Sequence, residues 1–398
     1  SILRTTSDSE FRYASWYMRG ALLFDGLEHQ VGRARLDAFL RELRETARPL
    51  TTGALRRRLR AALGQAAATW FEAELAASVP TRAWLVRRRA ESAARTARLA
   101  ELRFVTDTLE RVYSHLALKQ KRHGLDYGEL RRTIEDRVTR APTDAEHRAA
   151  LTDLLAAFHD GHLKLLLRNA PPAPLAATAA VSHRMLPGRI LLTRIARLFG
   201  NARAIQRRLQ QGLARLAQAR ALVIDLRGNP GGSNRIAFDY VARLIRQPVV
   251  LGHSTVRLSP EVLAQRPHYA ELYPPDPSRP GFSRPREARL EPDRPLTFTG
   301  PIVVLVDHGC YSACESTALA LKLGGARLYG QPTGGGSANP MTFDLPHTPG
   351  KLQVPTWIFV KPNGEPLEDN GVIPHVVVPA GQDAQTVALA ELRRRLKP

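Results

Sequence analysis

Ser312 stands at a junction suited to nucleophilic chemistry. Ahead of it, Ile302-Val-Val-Leu-Val306 reads as a short buried strand. Asp307, His308 and Gly309 break the apolar run and permit a tight turn. Ser312-Ala-Cys-Glu315 then opens a stretch, Thr317-Ala-Leu-Ala-Leu-Lys-Leu323, rich in helix formers. A serine at the handover from strand to helix faces the free N–H groups and positive dipole end of that helix. An oxyanion on a carbonyl it attacks is stabilised there, and losing one such donor costs about 3 kcal/mol of barrier. The ordinary alternative is an N-cap, the usual role of a serine before a helix. The choice depends on whether the chain also supplies a base, an orienting acid and a second oxyanion donor.

Two stretches are candidates. In Ile224-Asp-Leu-Arg-Gly-Asn-Pro-Gly-Gly232 a strand ends in a double glycine, which lets bare backbone N–H groups approach a ligand. Asn-Pro-Gly is equally the signature of a plain β-turn. In His159-Asp160-Gly161-His162 two histidines lie close together, and histidine is the usual base for a serine because it titrates near neutrality. A histidine taken alone is more often a surface or structural residue.

The elements that must hold these residues follow from the rest of the chain. Its 398 residues suffice for two or three domains, and 43% apolar with 24% charged residues is globular composition. No apolar run reaches the length of a membrane span, and residues 1–30 lack the shape of a signal peptide. The net charge of +21 favours anionic partners. The excess is arginine in helical stretches such as Arg56–Arg58 and Arg393–Arg395, which read as solvated faces. With 6% aromatics and no zinc-finger or RNA-binding signature, specific nucleic-acid binding is not expected. Cys310 and Cys314, the two cysteines, flank Ser312; they either pair across the turn in an oxidising compartment or stay as buried thiols. No metal and no cofactor is expected, since two thiols without a histidine pair do not make a zinc site.

Residues 1–100 read as a helical domain, with Leu36, Phe39, Leu40 and Leu43 on one face and breaks at Pro49 and Pro80. Residues 104–170 read as a second helical subdomain, helical through Leu167, with Thr143 or Asp144 capping its last helix. A Pro/Ala-rich linker spans Ala170 to Thr178. Over 179–398 strands alternate with helices, which predicts an α/β core with a mixed sheet and a site at strand C-terminal ends. Residues 252–298, polar and Pro-rich, read as an insertion or lid, and 340–379 as β-hairpins with a turn at Pro362-Asn-Gly364.

Four motifs in order make the reading specific. Asp225-Leu-Arg-Gly-Asn-Pro-Gly-Gly232, Ser312-Ala-Cys-Glu315, Gly330-Gln-Pro-Thr-Gly334 and Glu368-Asp-Asn-Gly-Val-Ile-Pro374 resemble the C-terminal processing peptidases and their relatives, tricorn core protease and the interphotoreceptor retinoid-binding protein repeats. The resemblance covers about 104–382 and implies a ClpP/crotonase-like core preceded by helical subdomains. It implies a serine peptidase. Where the processing branch carries its activating lysine this chain has Ser337, so the resemblance is to the tricorn-like branch, without a PDZ domain. Carried over residue by residue, Ser312 is the nucleophile, His162 the base and Glu368 the orienting acid, with oxyanion donors from Ala313 and from Gly231 or Gly232. Gly161 stands where tricorn has a serine linking histidine to glutamate, and His375 replaces an aspartate, so Asp160 and Ser337 are further candidates for orienting the base.

The opening, Tyr17-Met-Arg-Gly-Ala-Leu-Leu-Phe24 with Trp70-Phe71 further on, resembles the tail of a gluzincin aminopeptidase domain, but the chain has no His-Glu-x-x-His. The expected partners are peptides or unfolded protein tails, in the periplasm or outside the cell, with the cytoplasm as the alternative. Two other classes compete: a catalytically silent binding protein of the same fold, and a basic nucleic-acid-binding protein supported by charge alone.

Overall fold

The computed structural model describes residues 23–45, 51–76, 82–168, 179–294 and 296–396. The chain forms two compact units, Ser1–Thr96 and Ala97–Pro398. Tyr17, Pro49, Pro80 and the 170–178 linker lie outside the described residues.

In the first unit the predicted helices form: α1 (residues 23–31), α2 (Arg33–Arg44), α3 (Thr52–Leu63) and α4 (Gln65–Ala76). Thr51 caps α3 by accepting the Ala54 N–H at 3.3 Å. Leu36 and Phe39 of the predicted face pack with Leu27, Leu59 and Phe71 in a small core of their own. Then comes α5 (Arg82–Val112), a run without proline or glycine to stop it.

In the second unit α6 (Leu116–His123), α7 (Tyr127–Arg140) and α8 (Asp144–Ala156) surround Val105, Leu109, Leu151 and Phe158. Thr143 and Glu146 form a reciprocal capping box at the start of α8. The expected helix through Leu167 stops at Ala156, and Lys164–Leu167 is instead a strand, β1. A run of three leucines fits either period, and pairing with a distant strand decides it.

From Val181 the α/β pattern begins. β2 (Val181–Leu186) and β3 (Ile190–Ile195) form a hairpin, and α9 (Ala202–Arg215) leads to β4 (Ala221–Asp225) and α10 (Asn234–Val241). β5 (Val249–Val256), α11 (Pro260–Gln265), α12 (Tyr269–Leu272) and β6 (Arg286–Leu290) precede β7 (Ile302–Val306). After α13 (Ala313–Leu323) come β8 (Arg327–Gly330), β9 (Met341–Asp344), β10 (Gly350–Val354), β11 (Trp357–Val360), β12 (Val376–Val377) and α14 (Ala384–Arg395).

The central sheet runs β12-β8-β7-β4-β3-β2, parallel from β12 to β3 with β2 as an antiparallel edge. Its inner strands β3, β4 and β7 are buried on both faces, as their continuous apolar runs predict, whereas the edge strands β2 and β12 are partly exposed. Leu222 and Ile224 of β4 with Val304 and Val306 of β7 face α9, α10 and α13, while Val223, Val303 and Leu305 face Leu389 and Leu392 of α14. Each such buried aliphatic side chain contributes roughly 1.5–3 kcal/mol, so the floor beneath Ser312 is rigid.

Residues 252–298 turn out to carry regular structure. β5 pairs with β6 and with β11 in a three-stranded sheet, and β1-β10-β9 forms another. β11 pairs with β5 and also turns back at the expected Pro362-Asn-Gly364 turn, where Val360 bridges Pro366 and the Leu367 N–H reaches the Phe359 carbonyl at 2.9 Å; β9 and β10 form a second hairpin. No described helix is long and apolar enough to cross a membrane.

Candidate active site

β4 and β7 lie side by side and parallel, so the loops leaving them emerge at the same edge. The β7 loop carries Ser312, which adopts φ 58° and ψ −125°, a region costly for any residue with a Cβ. Glu315 holds this strained turn. Its buried carboxylate accepts the Ser312 N–H at 3.0 Å, the Gly335 and Gly336 N–H groups at 2.8 and 2.7 Å, and the Thr333 hydroxyl at 2.6 Å. Burial pushes its pKa up to about 7 even against those four donors. The Glu315 N–H is received by the Ser312 carbonyl at 2.8 Å. Cys310 and Cys314 are joined in a disulfide that spans the same turn.

The β4 loop packs directly on this elbow. Tyr311 donates its N–H to the Asn229 carbonyl at 3.0 Å. Asn229 is fully buried; its amide donates to the Ile195 carbonyl and its Oδ1 accepts the Gly231 N–H at 2.8 Å. Gly231 has φ 96°, and a Cβ there would stand 2.6 Å from the Tyr311 carbonyl oxygen and 2.9 Å from Ser312 Cβ. Only glycine lets the loop come this close. Among the described residues the Gly231 N–H is thus committed to Asn229, whereas the N–H groups of Gly232 and Ala313 make no hydrogen bond that the structure records.

His162 follows α8 and lies on the same edge. Its ring stacks on the ring of Tyr311, the chain neighbour of Ser312, with centroids 4.8 Å apart and planes 23° from parallel. Its N–H donates to Asp160 Oδ1 at 2.9 Å and its carbonyl accepts from Gln353 at 2.9 Å. The residue is 8% exposed, and Nδ1 is buried without a hydrogen-bond partner among the described residues. Burial lowers its pKa to about 4; Asp160 pulls the other way, and Lys164 and His115 add to the lowering.

Glu368 sits one layer below. It accepts the Ser337 N–H at 2.9 Å and pairs with Lys119 Nζ at 2.7 Å. Lys119, fully buried on α6, also meets Asp369 at 2.6 Å and the His159 carbonyl at 3.1 Å. His115 Nδ1 lies 3.2 Å from Asp160 and 3.9 Å from Glu368, and the Tyr113 hydroxyl donates to Asp160 at 2.9 Å. The structure thus joins Glu368 to the His162 segment through His115 and Asp160, and records no hydrogen bond from Glu368 to the His162 ring. Burial opposes ionisation of Asp160, yet His115 and Lys119 outweigh it and hold its pKa at about 2. Burial and the neighbouring Asp160 raise Glu368. His115, Asp160 and Glu368 form the one metal-like constellation among the described residues, and the Lys119 ammonium occupies the cation's place against Glu368.

A cavity of about 250 Å³ reaches α13 at Ser316, one helical turn on from Ser312. Ser316 and Leu319 of α13, Phe238, Ser337, Trp357 and Phe359 line it. Four residues of this site were not singled out from sequence. Tyr311 carried a signal, being an aromatic beside the nucleophile. Asn229 was visible only as part of a turn, and His115 and Lys119 gave none, lying on a helix far from every motif.

Residues 190–378 match the sequence model described as peptidase family S41. That segment, a little under half of the chain, is similar to this family, and the chain is a serine-type peptidase, a hydrolase of peptides or proteins. The fold resembles that of a putative peptidase from Parabacteroides merdae, with a TM-score of 0.55 at 18% identity over 72% of this chain and 93% of that one. It also resembles mature CPAF, at 0.59 and 12% over 76% and 96%. A lipoprotein from Streptococcus agalactiae gives 0.53 and 18% over 75% and 96%. No curated protein sequence matches the chain.

Proposed function

We propose that the protein cleaves peptide bonds through an acyl-enzyme on Ser312, with His162 as general base. The observation that carries this reading is the strained, Glu315-held serine packed against a glycine loop, with an imidazole stacked on the serine's own neighbour. Ser312 Oγ attacks the carbonyl carbon and passes its proton to His162. The tetrahedral oxyanion is received by the uncommitted N–H groups of Gly232 and Ala313. His162 then protonates the leaving amine, the acyl ester remains on Ser312, and water releases it by the same steps in reverse. Asp160, tied to His162 through its backbone, and Glu368 below it fix the segment that carries the base. The cavity, lined by Phe238, Leu319 and Trp357 and also by Arg286, Glu287 and Arg289, receives a side chain of the substrate. The Cys310–Cys314 bridge favours an oxidising compartment, the periplasm or the outside of the cell.

A fluorophosphonate probe tests the reading. Labelling of folded protein at Ser312, blocked by prior incubation with a peptide substrate, is the expected result. Folded protein that stays unlabelled favours a silent binding role for the same fold.

The histidine also sets the pH range. As a base it must be neutral, and its pKa of about 4 keeps it so through the weakly acidic range. The expected kcat/KM profile is level from neutrality down to about pH 5 and falls as the pH drops through about 4. An acid limb centred near 6.5 instead would place the working base in open solvent.

A further inference from the structure

The base lacks the usual device that sets an imidazole's orientation. In most such sites Nδ1 donates to a carboxylate or carbonyl; here Nδ1 of His162 has no partner among the described residues. What touches the ring is a flat face. Tyr311 stacks on it at 4.8 Å and 23°. Tyr311 is itself fixed at every end. Its N–H is held by Asn229, its carbonyl accepts the Cys314 N–H at 3.1 Å, and its ring lies in a socket of three glycines. A Cβ at Gly161 would stand 2.9 Å from the Tyr311 hydroxyl oxygen, and one at Gly334 2.7 Å from its Cδ2. A Cβ at Gly336 would overlap the ring outright. The phenol therefore has one position, and that position determines the plane available to His162.

We propose that Tyr311 is the positioning residue of the general base: its ring face sets the plane of the His162 imidazole and stabilises the imidazolium formed when Ser312 gives up its proton. A cation over an aromatic face is attracted by the ring quadrupole, most strongly where water is excluded. Because Tyr311 is peptide-bonded to Ser312 and hydrogen-bonded to the glycine loop, one side chain keeps base, nucleophile and oxyanion site in register. Burial, with Asp160, Glu368 and Glu315 nearby, keeps the phenol protonated, so it contributes no charge of its own.

This inference rests on the serine-peptidase reading, and the test separates the two. Tyr311→Phe keeps the face, whereas Tyr311→Leu and Tyr311→Met fill the socket without one. For Tyr311→Phe the expected kcat is within about threefold of wild type. The Leu and Met variants lose about 10- to 30-fold in kcat, the size of a desolvated cation–π contact, with KM within about twofold. Their acid limb moves to lower pH, since the imidazolium loses a stabilising partner while Asp160, Lys164 and His115, the charged and titratable groups facing the ring, are unchanged. Folded Leu and Met variants with wild-type kcat and an unmoved limb overturn the role of Tyr311 alone. So does a loss confined to KM, or a Phe variant as impaired as the Leu variant. Wild-type protein that neither hydrolyses peptides nor takes up fluorophosphonate overturns the peptidase reading beneath it.

Discussion

Ser312→Ala lowers peptide hydrolysis by about four orders of magnitude or more and leaves the fold intact. The size follows from the chemistry: without the alcohol no acyl-enzyme forms, and what remains is binding plus the oxyanion donors acting on water. The retention of fold follows from the geometry. Glu315 grips the backbone N–H of residue 312 and the carbonyl receives the Glu315 N–H, and both contacts survive in alanine. The backbone strain at φ 58° also survives, because it depends on the Cβ that alanine shares. The measurement is steady-state cleavage of an unstructured protein in the presence of a chelator, alongside thermal melting of both proteins. Equal melting temperatures with lost cleavage are expected. Cleavage at the wild-type rate sinks the assignment, since a group other than the Ser312 hydroxyl would then be the nucleophile.

The elbow was legible in the sequence because all of it is local. An apolar run, a turn and a helix-forming run occupy neighbouring positions, and the period of each is read without knowing its partners. The glycine loop was legible for the same reason, though which glycine keeps a free N–H was not. That depends on Asn229 turning its side chain back on Gly231, which no spacing announces. Strand β5 escaped notice because it pairs with β11, about a hundred residues on, and β6 because its partner is β5 across a long irregular connection, while their own faces are mixed. The end of α8 was missed likewise, since Lys164-Leu-Leu-Leu167 becomes a strand only by meeting Gln353 to Gly350. The layer below the site was the least visible. Lys119 on a helix of ordinary polar composition gives no hint that it will be fully buried. Its partners, Glu368 and Asp369, lie roughly 250 residues away and are brought to it only by folding.

That buried lysine carries the largest expected effect on stability. Lys119→Met preserves most of the side-chain volume and removes the ammonium from between Glu368 and Asp369. Burial alone would lower the lysine's pKa, but the two carboxylates and Asp160 outweigh it and raise it, so the wild-type residue stays charged. Taking one member from a buried ion pair leaves the other without compensation, which typically costs about 3–5 kcal/mol. The pH dependence gives the cause away. Glu368 already has a raised pKa in the folded state, so its ionised form is the costly one and the cost grows as pH rises above its unfolded value. Without the ammonium that cost is larger still, and protonation relieves it. The gap in denaturant midpoint between wild type and Lys119→Met should therefore be widest near pH 8 and narrow steadily toward pH 5. A gap that is constant across that range would mean that lost packing, rather than an orphaned carboxylate, accounts for the change. In that case the Lys119 cluster would be a filler between α6 and the 365–371 turn rather than the electrostatic tie that holds the base's segment over the serine.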